Sequence, residues 1–247
     1  MNEQQPQTIE VSRVLEVLAK GDMAIETALP YSSNYTLLAT ITYEELQVLA
    51  VYKPRRGERP LWDFTRGTLY RREVAAYLVS EALGFGLVPP TVLRDGPYGV
   101  GMVQLFIAND EDAHLFTMLK EEGYEPTIRR LCAFDCLINN ADRKSGHALK
   151  GLDGRLWAID HGICFHHEPK LRTVLWDFVG QALPPEVIAA LRAFRARLDA
   201  GDAVAQTLGD LLDKVEVRAL RRRLDHLLTT GVFPPPGPGP NVPWPPV

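Results

Sequence analysis

The sequence has little cysteine and no long apolar run. Its three cysteines show no spacing typical of a disulfide framework, which favours buried thiols and a reducing, cytoplasmic location. No stretch approaches the ~20 apolar residues that span a bilayer, and the polar start MNEQQPQTIEVSR lacks a signal-peptide core. A basic excess is also missing, since the net charge is −4 at pH 7. That balance argues against a nucleic-acid partner, because general binding to nucleic acid depends on neutralising phosphates.

The sequence does contain enough apolar material for a sizeable core. Its 247 residues are 46% hydrophobic, so the chain can fold as one domain or as two packed lobes. In the first part, apolar spacing predicts helices over 8–20 and 68–83, and strands over 23–29, 35–42, 46–53, 91–94 and 99–107. The remainder is mostly helical in this prediction, with helices over 111–121, 127–138, 169–179, 185–198, 203–212 and 215–228.

Strands and helices are therefore segregated along the chain. We predict an α+β fold, in which a small antiparallel-sheet N-lobe over 1–107 is followed by a mostly helical C-lobe over 108–233, with a cleft between them. Residues 234–247, PPPGPGPNVPWPPV, are too rich in proline for a helix or a central strand. They are predicted to form an extended, flexible tail.

The segment over 134–162, FDCLINNADRKSGHALKGLDGRLWAIDHG, gathers the residues most suited to chemistry. A helical run ends at Ile138, and a polar turn follows it. The pair Asp153-Gly154 between two short apolar segments is a strong signal for a two-residue hairpin. The hairpin returns the chain so that Asp160 lies close to the turn that carries Asp142. Two carboxylates at one place suit divalent-metal and phosphate chemistry.

The motifs N-x-D-R at Asn140–Arg143 and I-D-x-G at residues 159–162, joined by a hairpin, resemble the catalytic and metal-binding loops of phosphatidylinositol 3/4-kinase-like enzymes. The similarity is greatest to the type II phosphatidylinositol 4-kinase-like branch, to the toxin kinases of bacterial persistence modules and to small actinobacterial kinase-like proteins. It spans roughly residues 23–178. It implies a reduced protein-kinase-like fold and an ATP-dependent phosphotransferase that uses Mg²⁺ or Mn²⁺.

The resemblance also implies roles for residues of these two loops. Asp142 would be the general base, or the carboxylate that orients the nucleophile. Arg143 would steady the loop or the transferring phosphate, and Asp160 would bind the metal that bridges the β- and γ-phosphates. We expect Asp135 and Asn140 to brace the loop from within.

His147 departs from the pattern of the family. Enzymes of the family place a metal-binding asparagine five positions after the catalytic aspartate, and here that position holds His147. An imidazole suits Mn²⁺ better than Mg²⁺, which prefers oxygen ligands. Since only the neutral ring can bind a metal, we expect metal affinity to fall as the pH drops through the reference histidine pKa of ~6.5.

In the N-lobe, the same resemblance points to residues that would hold the nucleotide. The turn at Ser32, Ser33 and Asn34 stands where kinase-like folds place a phosphate-covering loop, although this turn has no glycine. The alternative is an ordinary hairpin turn without a phosphate contact. Lys53, at the end of a strand, would bind the α- and β-phosphates and pair with Glu73 on the following helix. Arg71 or Arg72 is the alternative partner of Glu73.

The connection after the last N-lobe strand would lie along the adenine. This connection comprises Gln104, Leu105 and Phe106. The alternative interpretation is that these residues form a buried edge strand without an adenine contact. His161, His166 and His167 with Cys164 match no standard zinc spacing and are predicted to be on the surface or structural.

Three functions follow from this sequence. The first is phosphate transfer from ATP to a lipid, a small molecule or a protein. The second is a degenerate kinase fold that binds a nucleotide or a partner without turnover. The third is a different transfer from ATP, such as moving AMP, on the same fold, because the fold does not choose among these functions.

Overall fold

The computed structural model describes residues 9–29 and 34–246. The chain divides into two compact units. The first unit comprises the described residues up to Arg59 together with Pro90–Phe106, and the second comprises Pro60–Pro89 together with the described residues from Ile107 onward.

The first unit is built on a five-stranded antiparallel sheet with the strand order β1-β2-β3-β5-β4. The strands are β1 (Asp22–Ala28), β2 (Leu37–Tyr43), β3 (Leu46–Pro54), β4 (Thr91–Gly96) and β5 (Gly99–Leu105). Strands β1 to β3 pair in sequence order, so the predicted meander is confirmed. A short 3₁₀ helix, Arg55–Gly57, follows β3.

Helix α1 (Val11–Lys20) covers one face of this sheet. Its residues Val17 and Leu18 are fully buried among side chains of the sheet, and burial of such a side chain stabilises a fold by roughly 1.5–3 kcal/mol. Gly21 ends the helix as predicted. A Cβ atom at Gly21 would lie 2.6 Å from the side chain of Ile41 and 2.8 Å from the carbonyl oxygen of Val17, so only glycine fits this close turn. The predicted cap, Thr8, lies outside the described residues.

The second unit is mostly helical. Its helices are α2 (Leu69–Ala82), α3 (Leu115–Met118), α4 (Glu125–Ile138), α5 (Pro185–Ala200), α6 (Ala203–Leu211) and α7 (Lys214–Thr230). Helices α5, α6 and α7 pack on one another, and α4 packs on α7. The helix predicted over 111–121 is present only as the single turn α3. No helix of the described residues has the length and apolar character needed to cross a membrane.

The helix predicted over 169–179 is wrong. Backbone groups in this stretch bond to distant segments instead of to each other, since the Arg172 N–H donates to Asn140 O (2.9 Å) and the Thr173 N–H donates to Asn241 O (3.0 Å). These long-range partners replace the bonds between residues four apart that define a helix. Apolar spacing alone does not reveal such partners.

The hairpin predicted before Asp160 is present but its connection is longer than expected. Strands β6 (Ala148–Lys150) and β7 (Leu156–Ala158) pair antiparallel. Five residues, 151–155, join them instead of a two-residue turn. Gly154 adopts φ +76° in this connection, a conformation that glycine takes without strain.

Helix α2 belongs to the second unit, although the sequence placed it in the N-lobe over 1–107. The physical reason is its buried polar side chains. Arg72 donates to Cys164 O (2.7 Å) and to the Glu216 carboxylate (2.6 Å), both in the second unit.

The proline-rich tail is extended as predicted, but it is bound along the second unit rather than free. Pro246 O accepts the Ser145 N–H (2.8 Å), and Asn241 O accepts both the Thr173 N–H (3.0 Å) and the Trp176 indole N–H (3.0 Å). Proline removes N–H donors from the tail but leaves its carbonyl groups as acceptors, and these carbonyl groups make the contacts.

Candidate functional site

The site begins where α4 ends. Asn139 adopts the left-handed conformation (φ 55°) that terminates many helices. Its side-chain amide donates to His166 O (2.9 Å) and Glu168 O (2.7 Å), and its Oδ1 accepts the Lys170 N–H (2.9 Å). Asn139, for which the sequence indicated no role, therefore attaches the end of α4 to the segment that follows the I-D-x-G motif.

Asp135, one turn earlier on α4, holds the N-x-D-R motif at Asn140–Arg143 in place. Its carboxylate accepts the Asn140 side-chain amide (2.9 Å) and binds Arg143 through both oxygens (2.8 and 3.0 Å). Asn140 Oδ1 in turn accepts the Asp142 N–H (3.0 Å). Asp135 and Asn140 are both buried. The predicted internal brace of the loop is thereby confirmed.

Arg143 is fully buried, and its five N–H groups match five acceptors. Besides the two bonds to Asp135, it contacts His147 O (2.9 Å), Ile159 O (3.1 Å) and His161 Nε2 (2.7 Å). One guanidinium thus joins α4, the loop after Asp142 and the strand end before Asp160. This geometry favours the loop-steadying role of Arg143 over a contact with a phosphate.

Asp160 follows β7 in a left-handed backbone conformation (φ 63°). That conformation is uncommon for a residue other than glycine, and it is concentrated at functional sites. The next residue, His161, donates its backbone N–H to the Glu73 carboxylate (2.8 Å). Glu73 is only 2% exposed, so a buried carboxylate on α2 holds the backbone beside Asp160.

Asp142 is partly accessible, with 27% of its side chain exposed. Burial raises the pKa of the Asp142 carboxyl, and the charge of Asp160 raises it further, while Lys144 opposes the change. The Lys144 ammonium lies 3.6 Å from Asp142 Oδ2. The effect of Asp160 on the pKa of Asp142 indicates that these two carboxylates are electrostatic neighbours.

His147 connects these two aspartates. Its Nδ1 lies 2.8 Å from Asp142 O, and because a carbonyl oxygen can only accept, Nδ1 carries the proton of the neutral ring. The other nitrogen, Nε2, then has its lone pair available, and it lies 3.5 Å from Asp160 Oδ2. Burial lowers the pKa of His147 to about 4, although Asp160 opposes the change. The expected fall in metal affinity therefore moves to a lower pH than the reference histidine value, and it stays a prediction.

Asp160 and His147 offer donors that one divalent ion could use. Asp160 offers a carboxylate oxygen, and His147 offers an Nε2 whose tautomer is fixed by a hydrogen bond on the opposite side of the ring. Within residues 9–29 and 34–246, no group of three or more His, Cys, Asp or Glu side chains could hold an ion by itself. Mg²⁺ in kinase-type sites takes one or two protein ligands and completes its shell with phosphates and water, so a two-residue set is sufficient.

The candidate residues of the first unit are positioned as follows. Ser32 and Ser33 lie outside the described residues. Asn34 Oδ1 accepts the Arg59 N–H (2.8 Å), which anchors the end of that turn. Lys53 lies in β3, so its pairing with Glu73 in the other unit stays a prediction. The alternative that Arg72 binds Glu73 is wrong, since Arg72 binds Glu216.

The segment predicted to contact adenine is the end of the sheet. Gln104 is buried. The Leu105 and Phe106 N–H groups donate to Pro90 O and Leu49 O, both at 2.9 Å. These two N–H groups are already used within the sheet, so a purine at this connection would need other backbone groups.

His161 is fully buried and contacts Arg143, which agrees with the structural alternative that the sequence offered. One feature of the second unit was not predicted from the sequence. Arg72 connects α2 to the Glu216 carboxylate on α7, a pair separated by 144 residues. No local spacing connects residues so far apart, and only their polarity within apolar stretches hinted that they are buried in pairs.

The structure resembles solved kinases. It aligns with the Golgi casein kinase at a TM-score of 0.54 and 15% identity, covering 89% of this chain and 74% of that one. The same kinase with Mn/ADP bound gives 0.55 and 16%, covering 89% and 75%. The Helicobacter pylori proinflammatory kinase CtkA gives 0.55 and 12%, covering 87% and 94%. The predicted α+β kinase-like fold is confirmed.

Three proteins are similar in sequence. Protein Rv2133c of Mycobacterium tuberculosis is 40% identical over 262 residues, covering 93% of this chain and 94% of that protein. Phosphatidylinositol 4-kinase gamma 2 of Arabidopsis thaliana is 27% identical over 235 residues, covering 73% and 41%. Phosphatidylinositol 4-kinase gamma 3 of the same plant is 27% identical over 150 residues, covering 46% and 25%. The chain thus spans less than half the length of either plant kinase.

The fold and the two loops define a protein with a kinase-like fold. No protein-family model matches the chain. At the level of close relatives, the chain belongs to the family of Protein Rv2133c of Mycobacterium tuberculosis. The comparisons support a kinase-like protein in general, and the narrower placement in the phosphatidylinositol 3/4-kinase branch stays a prediction.

Proposed function

We propose that this protein is an ATP- and divalent-metal-dependent phosphotransferase. The observation that carries the proposal is that His147 contacts both Asp142 O (2.8 Å) and Asp160 Oδ2 (3.5 Å), in a loop that the buried Arg143 holds in place. Phosphoryl transfer needs positioned charges more than covalent chemistry. A kinase-like fold that keeps these carboxylates in place is suited to it.

Asp142 would act on the acceptor. Its raised pKa brings the carboxylate closer to the basicity that is useful for receiving a proton from a hydroxyl group. Its bond through Asn140 to Asp135 keeps the backbone fixed. Lys144, beside it, would limit repulsion between the carboxylate and an incoming phosphate.

Asp160 and the Nε2 of His147 would hold the metal. A bound divalent ion would neutralise charge on the β- and γ-phosphates of ATP. One of the similar kinase structures holds Mn and ADP, which supports the use of both ligands here. Lys53 and the turn at residues 32–34 are the proposed phosphate contacts, and Glu73 would fix both Lys53 and the backbone of His161.

The acceptor stays open. The names of the similar proteins point to phosphatidylinositol for the plant kinases and to casein for the Golgi kinase. These are different classes of acceptor on one fold, and fold does not decide between them. We therefore propose the donor and the reaction type and leave the acceptor as lipid, small molecule or protein.

The test is incubation of the full chain with γ-labelled and, separately, α-labelled ATP, with Mg²⁺ or Mn²⁺. Label from the γ position should appear on the protein or as inorganic phosphate. Label from the α position on the protein would instead show AMP transfer. If neither label is transferred or released, the protein does not turn over ATP. Either AMP transfer or the absence of turnover would overturn the proposal.

Single substitutions distinguish the proposed roles of the two carboxylates. Asp142→Ala should keep metal–ATP binding in calorimetry and lose transfer by at least ~100-fold, as expected for a general base. Asp160→Ala should lose metal-dependent binding itself. Asp210→Ala, at an exposed position on α6, is the matched control and should change neither. Equal metal–ATP affinity for wild type and Asp160→Ala would show that the metal is held elsewhere.

A further inference from the structure

The second unit contains a pocket of about 590 Å³ that the proposed phosphotransfer does not use. One side is a face of α7 that carries Ala219, Arg222, Arg223, His226 and Leu227, which are spaced as neighbours on one helix surface. The segment over 167–172 forms a second side, and prolines of the tail form a third. Pockets of this volume accommodate small organic ligands.

Basic residues dominate the polar lining. The lining includes His167, Lys170, Arg172, Arg222, Arg223 and His226 and no aspartate or glutamate. Lys170 is paired with Asp63 (3.0 Å) outside the lining. Among the residues that the structure describes, Arg172, Arg222 and Arg223 have no carboxylate within ion-pair distance, and Arg172 only donates to Pro240 O (3.3 Å). Three guanidinium groups thus meet around one space without a balancing anion.

Arg223 shows this imbalance most clearly. It donates to Leu137 O (2.7 Å) and to His166 O (3.2 Å), which satisfies a carbonyl near the end of α4. Its Nη2 atom is buried and has no hydrogen-bond partner among the described residues. Burial lowers the pKa of Arg223 to about 10, and the nearby charge of Arg222 adds to the change. A buried cation without a full set of acceptors is costly unless something binds it.

We propose that this pocket binds a phosphorylated small molecule. Guanidinium groups match phosphate oxygens with paired, charge-assisted hydrogen bonds. The apolar part of the wall, from Leu171, Leu227 and the tail prolines, would cover the organic part of the ligand. Neither Asp142 nor Asp160 lines the pocket, so this inference does not depend on the proposed phosphotransfer.

The exposed Arg222 is the best position for a test. It has a side chain directed at the pocket and is not among the residues that hold α4 or the catalytic loop. Arg172 is the second position, because its bonds to Asn140 and Arg143 come from its backbone and survive a change of side chain. Arg218, exposed on the same helix and outside the lining, is the matched control.

The experiment is calorimetric titration of the full chain with phenyl phosphate and with inorganic pyrophosphate, without nucleotide or metal. Both probes should bind, and added KCl should weaken them. Arg222→Ala should weaken binding by roughly ten-fold, the value of one charge-assisted hydrogen bond. Arg172→Ala combined with Arg222→Ala should abolish it, whereas Arg218→Ala should leave it unchanged.

The double variant also separates this pocket from the nucleotide site, because Arg172 and Arg222 are not among the proposed nucleotide contacts. Probe affinity that Arg172→Ala combined with Arg222→Ala leaves unchanged would show that the anion is bound elsewhere, which would overturn the proposal. Lack of binding by the wild type would overturn the proposal. An equal loss in Arg218→Ala and Arg222→Ala would also overturn it, because the anion would then be bound by general charge.

Discussion

The buried pair of Asp135 and Arg143 should control the stability of the site, and a double-mutant cycle can measure this. The cycle compares Asp135→Asn, Arg143→Met and the double variant with the wild type. Arg143→Met removes every N–H bond of the guanidinium and leaves the Asp135 carboxylate buried with the Asn140 amide (2.9 Å). It also removes the donor shared by His147 O and Ile159 O.

The structure sets the expected magnitude. Breaking a buried ion pair by removing one partner costs about 3–5 kcal/mol, because the remaining charge is uncompensated. The cost of Arg143→Met should lie at the upper end of this range, because two carbonyl groups also lose their donor. Asp135→Asn should cost about 3 kcal/mol, because the guanidinium keeps its other three acceptors. In the double variant no uncompensated carboxylate remains, so its cost should be smaller than the sum by about 2 kcal/mol.

Urea unfolding followed by tryptophan fluorescence gives the free energies, since Trp157 and Trp176 both lie in the second unit. If Arg143→Met does not fold, Arg143→Lys takes its place, because lysine keeps the charge but cannot form the planar fork. Strict additivity of the two single variants, or a cost below about 1 kcal/mol for each, would show that the pair does not hold the site together.

Two further predictions concern His147 and the pair of Lys53 and Glu73. The pKa of His147 is lowered to about 4 in the folded chain. Between pH ~6.5 and ~4 the unfolded chain therefore binds a proton that the folded chain does not. The free energy of unfolding should fall by up to about 3 kcal/mol as the pH drops through this window. His147→Asn should remove this dependence of the unfolding free energy on pH, measured by urea unfolding, and should shift nucleotide binding from Mn²⁺ toward Mg²⁺. An unchanged pH dependence would contradict the burial of His147, and an unchanged metal preference would contradict its ligand role. Lys53→Met and Glu73→Gln should each weaken ATP binding, and the double variant should be no weaker than Lys53→Met, whereas additive losses in calorimetry would show that the two side chains act separately.

Local chemistry predicted much of the fold. Alternating apolar residues gave the meander, and the glycine after residue 20 correctly ended α1. The pair Asp153-Gly154 correctly indicated a hairpin, which brings Asp160 near Asp142. The polar turn after α4 led to the prediction that Asp135 and Asn140 brace the loop, which is correct. Each of these depends on side chains within about 30 residues of one another.

Long-range bonding explains the errors. The stretch over 169–179 has the apolar spacing of a helix, but its backbone pairs with the loop over 140–143 and with the tail. The tail has the composition of a flexible segment, yet its carbonyl groups accept hydrogen bonds from Ser145, Arg172, Thr173 and Trp176 in the rest of the second unit. The low pKa of His147 likewise arises from burial, which no sequence window shows. Tertiary partners decide these features, and tertiary partners are absent from local patterns.

The network around Arg143 explains why so much buried charge is kept at one place. A buried ion pair is a weak source of net stability, and an apolar replacement is often as stable. The guanidinium does something that an apolar side chain cannot, since it fixes three separate backbone segments through directed bonds. Asp160 is held in a left-handed conformation that costs roughly 1–3 kcal/mol, and the bonds to Ile159 O on one side and the His161 N–H on the other maintain it. Positions fixed in advance are what charge-based catalysis requires, because the groups then need no rearrangement when the substrate binds.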